Sequence, residues 1–220
     1  MSPTTPDLDA TRFREVLARR RLLAIVRGSD ANAALRTVTT LAKNGVRLIE
    51  VSLVTPDALQ VIRDARAELG GEALLGAGTV VSADDARAAA DAGASYLVTP
   101  AVSEAVRAGR ELGVPVLAGA LTPTEVVAAL DAGAAAVKLF PASLGGAAYL
   151  RALRDPFPQV PFVPVGGVGV AEARDHLAAG ALAVGVGSPL VGDAARGGSL
   201  DELAQRIAAF LTALNIRDTR

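Results

Sequence analysis

Strand-like and helix-like stretches alternate without a break along this chain, and that alternation limits the folds open to it. Leu22–Val26, Leu48–Leu53, Leu74–Val80, Tyr96–Thr99, Val114–Ala120, the segment around Lys138, Pro161–Val165 and Leu182–Val186 read as eight strands. They are short apolar runs bounded by glycine, proline or polar residues. A helical pattern follows each one, and a further helix over Leu8–Arg20 precedes the first. Three helix-to-strand joints are near copies: Ala92-Gly93-Ala94, Ala132-Gly133-Ala134 and Ala179-Gly180-Ala181. Glycine there suits the left-handed residue that ends a helix before the chain turns into a strand. Strict β/α alternation with short loops implies an all-parallel sheet. Eight units in 220 residues fit one α/β domain, a (β/α)8 TIM barrel with an extra N-terminal helix, spanning 1–220. An open doubly wound sheet is the alternative, but no G-x-G-x-x-G follows the first strand.

Composition removes several function classes. The chain has no cysteine and a single histidine, His176, so disulfides, thiolate metal sites and multi-histidine centres are excluded. Aromatic residues are 3% and the net charge is −1, which argues against a nucleic-acid groove with stacking platforms. The apolar runs are strand-length, so none spans a bilayer. Met1–Asp9 is polar and lacks an apolar signal core, so a cytoplasmic protein is expected. His176 is expected to be a solvated helix residue.

Positive charge is carried almost wholly by arginine: only Lys43 and Lys138 are lysines, among 22 basic residues. Lys138 interrupts the apolar strand Ala136-Val137-Lys138-Leu139-Phe140-Pro141. A buried ammonium is costly and tends to lose its proton, and neutral lysine can attack a carbonyl where arginine cannot. The competing reading is a strand-edge lysine that reaches water or pairs with an acid. Glu50 likewise interrupts Leu48-Ile49-Glu50-Val51, either as a salt-bridged acid or as the partner of Lys138 in proton transfer. In a (β/α)8 barrel the site lies at the strand C-termini, and Arg27, Glu50, Thr79 and Lys138 fall there. Gly166-Gly167-Val168 and Gly185-Val186-Gly187-Ser188 follow the seventh and eighth strands, where phosphate sites commonly form. Thr79 and Ser188 are read as ligand-facing hydroxyls or as helix caps. Arg27 suits a carboxylate or phosphate.

These residues together resemble the 2-keto-3-deoxy-6-phosphogluconate (KDPG) / 4-hydroxy-2-oxoglutarate (KHG) aldolases. The pieces that carry the resemblance are Ile49-Glu50-Val51-Ser52-Leu53, Gly76-Ala77-Gly78-Thr79-Val80, Thr122-Pro123-Thr124-Glu125, Val137-Lys138-Leu139-Phe140-Pro141-Ala142 and Gly166-Gly167-Val168. The resemblance implies a class I, Schiff-base enzyme, a homotrimer with no metal and no cofactor. Its substrate would be a phosphorylated keto acid, cleaved to pyruvate and glyceraldehyde-3-phosphate, with 4-hydroxy-2-oxoglutarate as a possible second substrate. It assigns the Schiff base to Lys138 and the general acid/base to Glu50. Thr79, Phe140 and Pro100 match the pyruvate pocket; Gly166, Gly167 and Ser188 match the phosphate site. Two positions depart from the common pattern. Val54 stands where many members have a carboxylate-binding arginine, and Val165 where many have threonine. Alternatives are the 6-phosphogalactonate epimer as substrate, or a sugar-phosphate isomerase or binding barrel that would leave Lys138 without a chemical task.

Overall fold

The computed structural model describes residues 8–216. Residues 1–7, most of the stretch read as lacking a signal core, lie outside it. The helix α1 (Ala10–Arg20) comes first. The paired units follow: β1 (Leu22–Val26) and α2 (Ala31–Lys43), β2 (Leu48–Ser52) and α3 (Ala58–Leu69), β3 (Leu74–Gly78) and α4 (Ala83–Asp91), β4 (Tyr96–Val98) and α5 (Glu104–Glu111). Then come β5 (Val116–Ala120) and α6 (Pro123–Asp131), β6 (Ala136–Leu139) and α7 (Gly146–Arg154), β7 (Phe162–Pro164) and α8 (Val170–Ala178). The strand β8 (Val184–Val186), the one-turn α9 (Ser188–Val191) and α10 (Leu200–Ala213) complete the set.

All the strand pairs are parallel, in the order β7-β6-β5-β4-β3-β2-β1-β8. The circle closes where Val165 bridges Gly185 and the Leu182 N–H donates to the Phe162 carbonyl at 2.8 Å. The expected (β/α)8 barrel with its extra N-terminal helix is therefore the fold.

Side chains alternate across each strand, so every strand feeds two cores. Ile49, Val51, Val137 and Leu139 point outward into the cluster shared with the helices. Leu48, Tyr96, Val98, Leu117, Ala136 and Val163 form the inner cluster. Glu50 shares the face of Leu48, and Lys138 shares the face of Ala136, so both project into the barrel. The N-terminal mouth is plugged by α1. Its N-cap is Asp9, which accepts the Arg12 N–H at 2.8 Å, and its Phe13 and Leu17 are fully buried in the inner cluster. Phe13 stacks on Tyr96 with ring centroids 5.0 Å apart. Truncating such a ring to alanine costs about 3–5 kcal/mol.

The three repeated glycine joints have φ of 91° (Gly93), 94° (Gly133) and 90° (Gly180), the left-handed turn expected there. Several boundaries move for local reasons. The strand β3 stops at Gly78 because Thr79 adopts φ 60°. The strand β5 starts at Val116 because the Val114 N–H is still bonded to the Gly109 carbonyl, closing α5. His176 corrects an expectation: it is 2% exposed in α8, on the face packed against the barrel, not solvated. Burial lowers its pKa, against the opposing charges of Asp175 and Glu172.

Candidate active site

The inner residues near the strand C-termini are where the packing turns polar. Glu50 (2% exposed) and Lys138 (6%) are both buried there. Space for the Glu50 carboxylate is left by a glycine. A Cβ on Gly78 would run into the Glu50 carboxylate. Gly119 pairs with Lys138 across β5 and β6, and a Cβ on it would strike the Pro100 backbone. Among the described residues no ion pair joins Glu50 to Lys138. Glu50 Oε2 is buried without a hydrogen-bond partner. Burial raises the Glu50 pKa above the usual carboxylate value, and the charges of Lys138 and then Arg27 oppose the rise. Such an acid can both hold and accept a proton closer to neutrality than a solvated glutamate can.

Lys138 Nζ lies 5.0 Å from the centroid of the Phe140 ring. That ring is 38% exposed at the mouth, so it forms a wall between the lysine and solvent. Thr79 stands just past β3, and its hydroxyl is 2.7 Å from that of Ser52, two residues beyond Glu50 on the same face of β2. The Thr79 hydroxyl is therefore held by β2, and the cap of α4 is Ser82. Pro100 is half-buried past β4, against Gly119.

A cavity of about 300 Å³ opens over β1, β6, β7 and β8. Arg27, Phe140, Gly166, Gly167, Ser188 and Arg196 line it. Gly166 and Gly167 have φ of 98° and 72°, values that a residue with a side chain rarely adopts. Ser188 is exposed at the start of α9, one residue past the N-cap Gly187. A larger cleft of about 770 Å³ lies on the outside of α2 and α3, away from Lys138.

Of the nine residues singled out from the sequence, five line the 300 Å³ cavity: Arg27, Phe140, Gly166, Gly167 and Ser188. Lys138 and Glu50 lie buried inside the barrel, while Thr79 and Pro100 sit at the ends of β3 and β4 beside them. Of the departures, Val54 is 59% exposed and Val165 is buried on the cavity wall. Two residues escaped the sequence reading. Arg196 sits in a 3-10 turn (Ala194–Arg196) that packs the Ala195 carbonyl against Gly28, bringing a second arginine to the cavity that Arg27 lines. Ser52 enters the sequence analysis only as part of the Ile49–Leu53 motif. Its alternation with Glu50 was the signal that it faces inward.

Comparison with known proteins agrees with this geometry. The 2-dehydro-3-deoxy-6-phosphogalactonate aldolase of Escherichia coli strain K12 is 36% identical over 87% of this chain and 93% of its own length. The KHG/KDPG aldolase of the same strain is 36% identical over 75% of this chain and 78% of its own. Among solved structures, the KDPG aldolase of Legionella pneumophila, with pyruvate captured as a covalent carbinolamine, superposes with a TM-score of 0.82. It is 27% identical and covers 90% of this chain and 97% of that one. A chain of a cage designed by fusing symmetric oligomeric domains gives a TM-score of 0.82 at 34% identity, covering 89% of this chain and 72% of that one. The family model for KDPG and KHG aldolase matches residues 13–205. With a barrel of the right kind, an inward-facing lysine and glutamate, and relatives over most of its length, the chain belongs to the KDPG and KHG aldolase family.

Proposed function

We propose that this chain is a class I aldolase, a carbon–carbon lyase that splits a 2-keto-3-deoxy-6-phospho sugar acid, 2-dehydro-3-deoxy-6-phosphogluconate, into pyruvate and glyceraldehyde-3-phosphate. The observation that carries the reading is the pair of buried chargeable groups, Lys138 and Glu50, inside one barrel, with the Glu50 carboxyl seated over Gly78.

The neutral Lys138 amine attacks the C2 carbonyl and gives a carbinolamine, which loses water to form an iminium ion. The iminium takes up the electron pair released when C3–C4 breaks. Glu50 removes the proton of the C4 hydroxyl, directly or through a water, and the aldehyde leaves. The remaining enamine is protonated at C3 by the same acid. Water then adds to the imine and frees pyruvate. The raised Glu50 pKa suits both halves of this exchange. Thr79, oriented by Ser52, binds the pyruvyl carboxylate; Phe140 and Pro100 wall the pocket. Arg27, Arg196, Ser188 and the Gly166–Gly167 backbone bind the phosphate.

The C4 epimer, 2-dehydro-3-deoxy-6-phosphogalactonate, is a second reading. One of the relatives compared above is named for that epimer and is 36% identical over 87% of this chain. Val165 also places an apolar side chain on the cavity wall. The unphosphorylated 4-hydroxy-2-oxoglutarate, yielding pyruvate and glyoxylate, fits the same lysine with less use of the phosphate side. A homotrimer in the cytoplasm is the setting we infer. The oligomeric design context of one related chain supports assembly, and no described helix is long and apolar enough to cross a membrane. Pyruvate release measured on the two epimers and the unphosphorylated acid tests the reading. The account expects release from at least one phosphorylated epimer, with the unphosphorylated acid slowest. Release from none of them contradicts it.

A further inference from the structure

Two of the buried polar atoms without a hydrogen-bond partner, Glu50 Oε2 and the Tyr96 hydroxyl oxygen, belong to one level of the barrel. Glu50 is in register with Gly76, and Gly76 with Tyr96, across β2, β3 and β4. The middle residue has no side chain, and the tyrosine fills its place. A Cβ on Gly76 would collide with Cζ and Cε2 of the Tyr96 ring. The hydroxyl-bearing end of the phenol thus reaches from β4 over β3 toward β2. The Glu50 carboxyl rests over Gly78, two residues further along the same face. Phe13 stacks on the ring and fixes it from below.

A phenylalanine would fill this space without burying a hydroxyl. An unpaired buried hydroxyl is expensive, and so is an unpaired carboxylate oxygen. We infer that Tyr96 is a positioning residue for Glu50: its hydroxyl donates a hydrogen bond, through one buried water, to the Glu50 carboxyl and aims it at the substrate. The inference rests on Glu50 being the acid/base of the proposed reaction.

Burial, and after it the Glu50 charge, pushes the Tyr96 phenol well above its usual range, so it stays protonated and available as a donor. The other groups that face Glu50 are Lys138 from β6 and Arg27 at the end of β1. The Ser52 and Thr79 hydroxyls on the same side are paired with each other. A donor that stabilises the carboxylate lowers its pKa, so removing the donor must raise it further.

The test is Tyr96→Phe, which keeps the ring and its stack on Phe13. The Glu50 carboxyl is titrated by NMR in protein labelled with 13C-glutamate, with Glu50→Gln for assignment. The expected result is an upward shift of the Glu50 midpoint by about one pH unit, the size of a hydrogen bond to a charged group. The acid limb of kcat/KM should move with it, and kcat should fall about tenfold. Capture of pyruvate on Lys138 by borohydride should persist. An unmoved Glu50 titration overturns the inference, whether or not kcat or thermal stability has changed. Failure of the wild-type protein to capture pyruvate would remove the aldolase reading instead, and the NMR titration would still decide whether Tyr96 serves Glu50.

Discussion

The Glu50 carboxylate occupies the space that a side chain on Gly78 would fill. The placement of an acid on β2 therefore depends on a missing side chain on β3. Gly78→Ala should push the carboxylate aside, and because only the end of a flexible side chain has to move, the barrel should survive. Turnover should fall by about 10²-fold, the lower range for losing a positioned acid/base, while the melting temperature changes by a few degrees at most. Steady-state kinetics beside a thermal melt checks both.

Glu50 also sets a pH dependence of stability. Its folded pKa is raised above the ordinary 4.5, so between that value and the folded one the native state holds a proton that the unfolded chain has lost. Stability from this group is complete below 4.5 and is lost as pH rises through the folded value. Glu50→Gln removes the effect. Melting curves taken upward from pH 4 should show the wild type losing ground to the glutamine variant. Parallel curves for the two would count against a buried, raised Glu50.

The second arginine of the cavity gives a substrate-dependent prediction. Arg196→Ala should lower kcat/KM for a phosphorylated substrate about tenfold, as for the loss of one hydrogen bond to a charged group. It should leave the unphosphorylated 4-hydroxy-2-oxoglutarate unaffected. Equal losses on both substrates would place Arg196 outside phosphate recognition.

At the other end of the substrate, Ser52→Ala frees the Thr79 hydroxyl from its 2.7 Å partner. KM should rise several-fold, up to about tenfold, with a smaller effect on kcat, since a neutral hydrogen bond contributes about 0.5–1.5 kcal/mol. A kcat loss with unchanged KM would mean that Ser52 acts on the chemistry and not on binding.

Most of the barrel could be read from the chain because its signals are local. Each strand is an apolar run, each helix has its stop, and glycine marks the turn at Gly93, Gly133 and Gly180. Lys138 and Glu50 stood out because a charge inside such a run is costly. What stayed hidden depends on neighbours distant in sequence. The 3-10 turn that carries Arg196 is placed by its contact with Gly28. Thr79 meets Ser52 only because β2 and β3 pair in that register. His176 sits in a polar-looking helix, and only the packing of α8 shows it to be buried. In the sequence Tyr96 looks like one more apolar strand residue, and only Gly76 on the neighbouring strand shows where its ring goes.

The central claim is that Lys138 forms an imine with pyruvate. The direct measurement is borohydride reduction in the presence of pyruvate, followed by peptide mass mapping, with Lys138→Arg as control. The account predicts one stable pyruvate-derived mass on the peptide that contains Lys138, absent in the arginine variant, which should also have lost turnover. No trapped adduct, modification of Lys43 alone, or substantial activity in Lys138→Arg would contradict it.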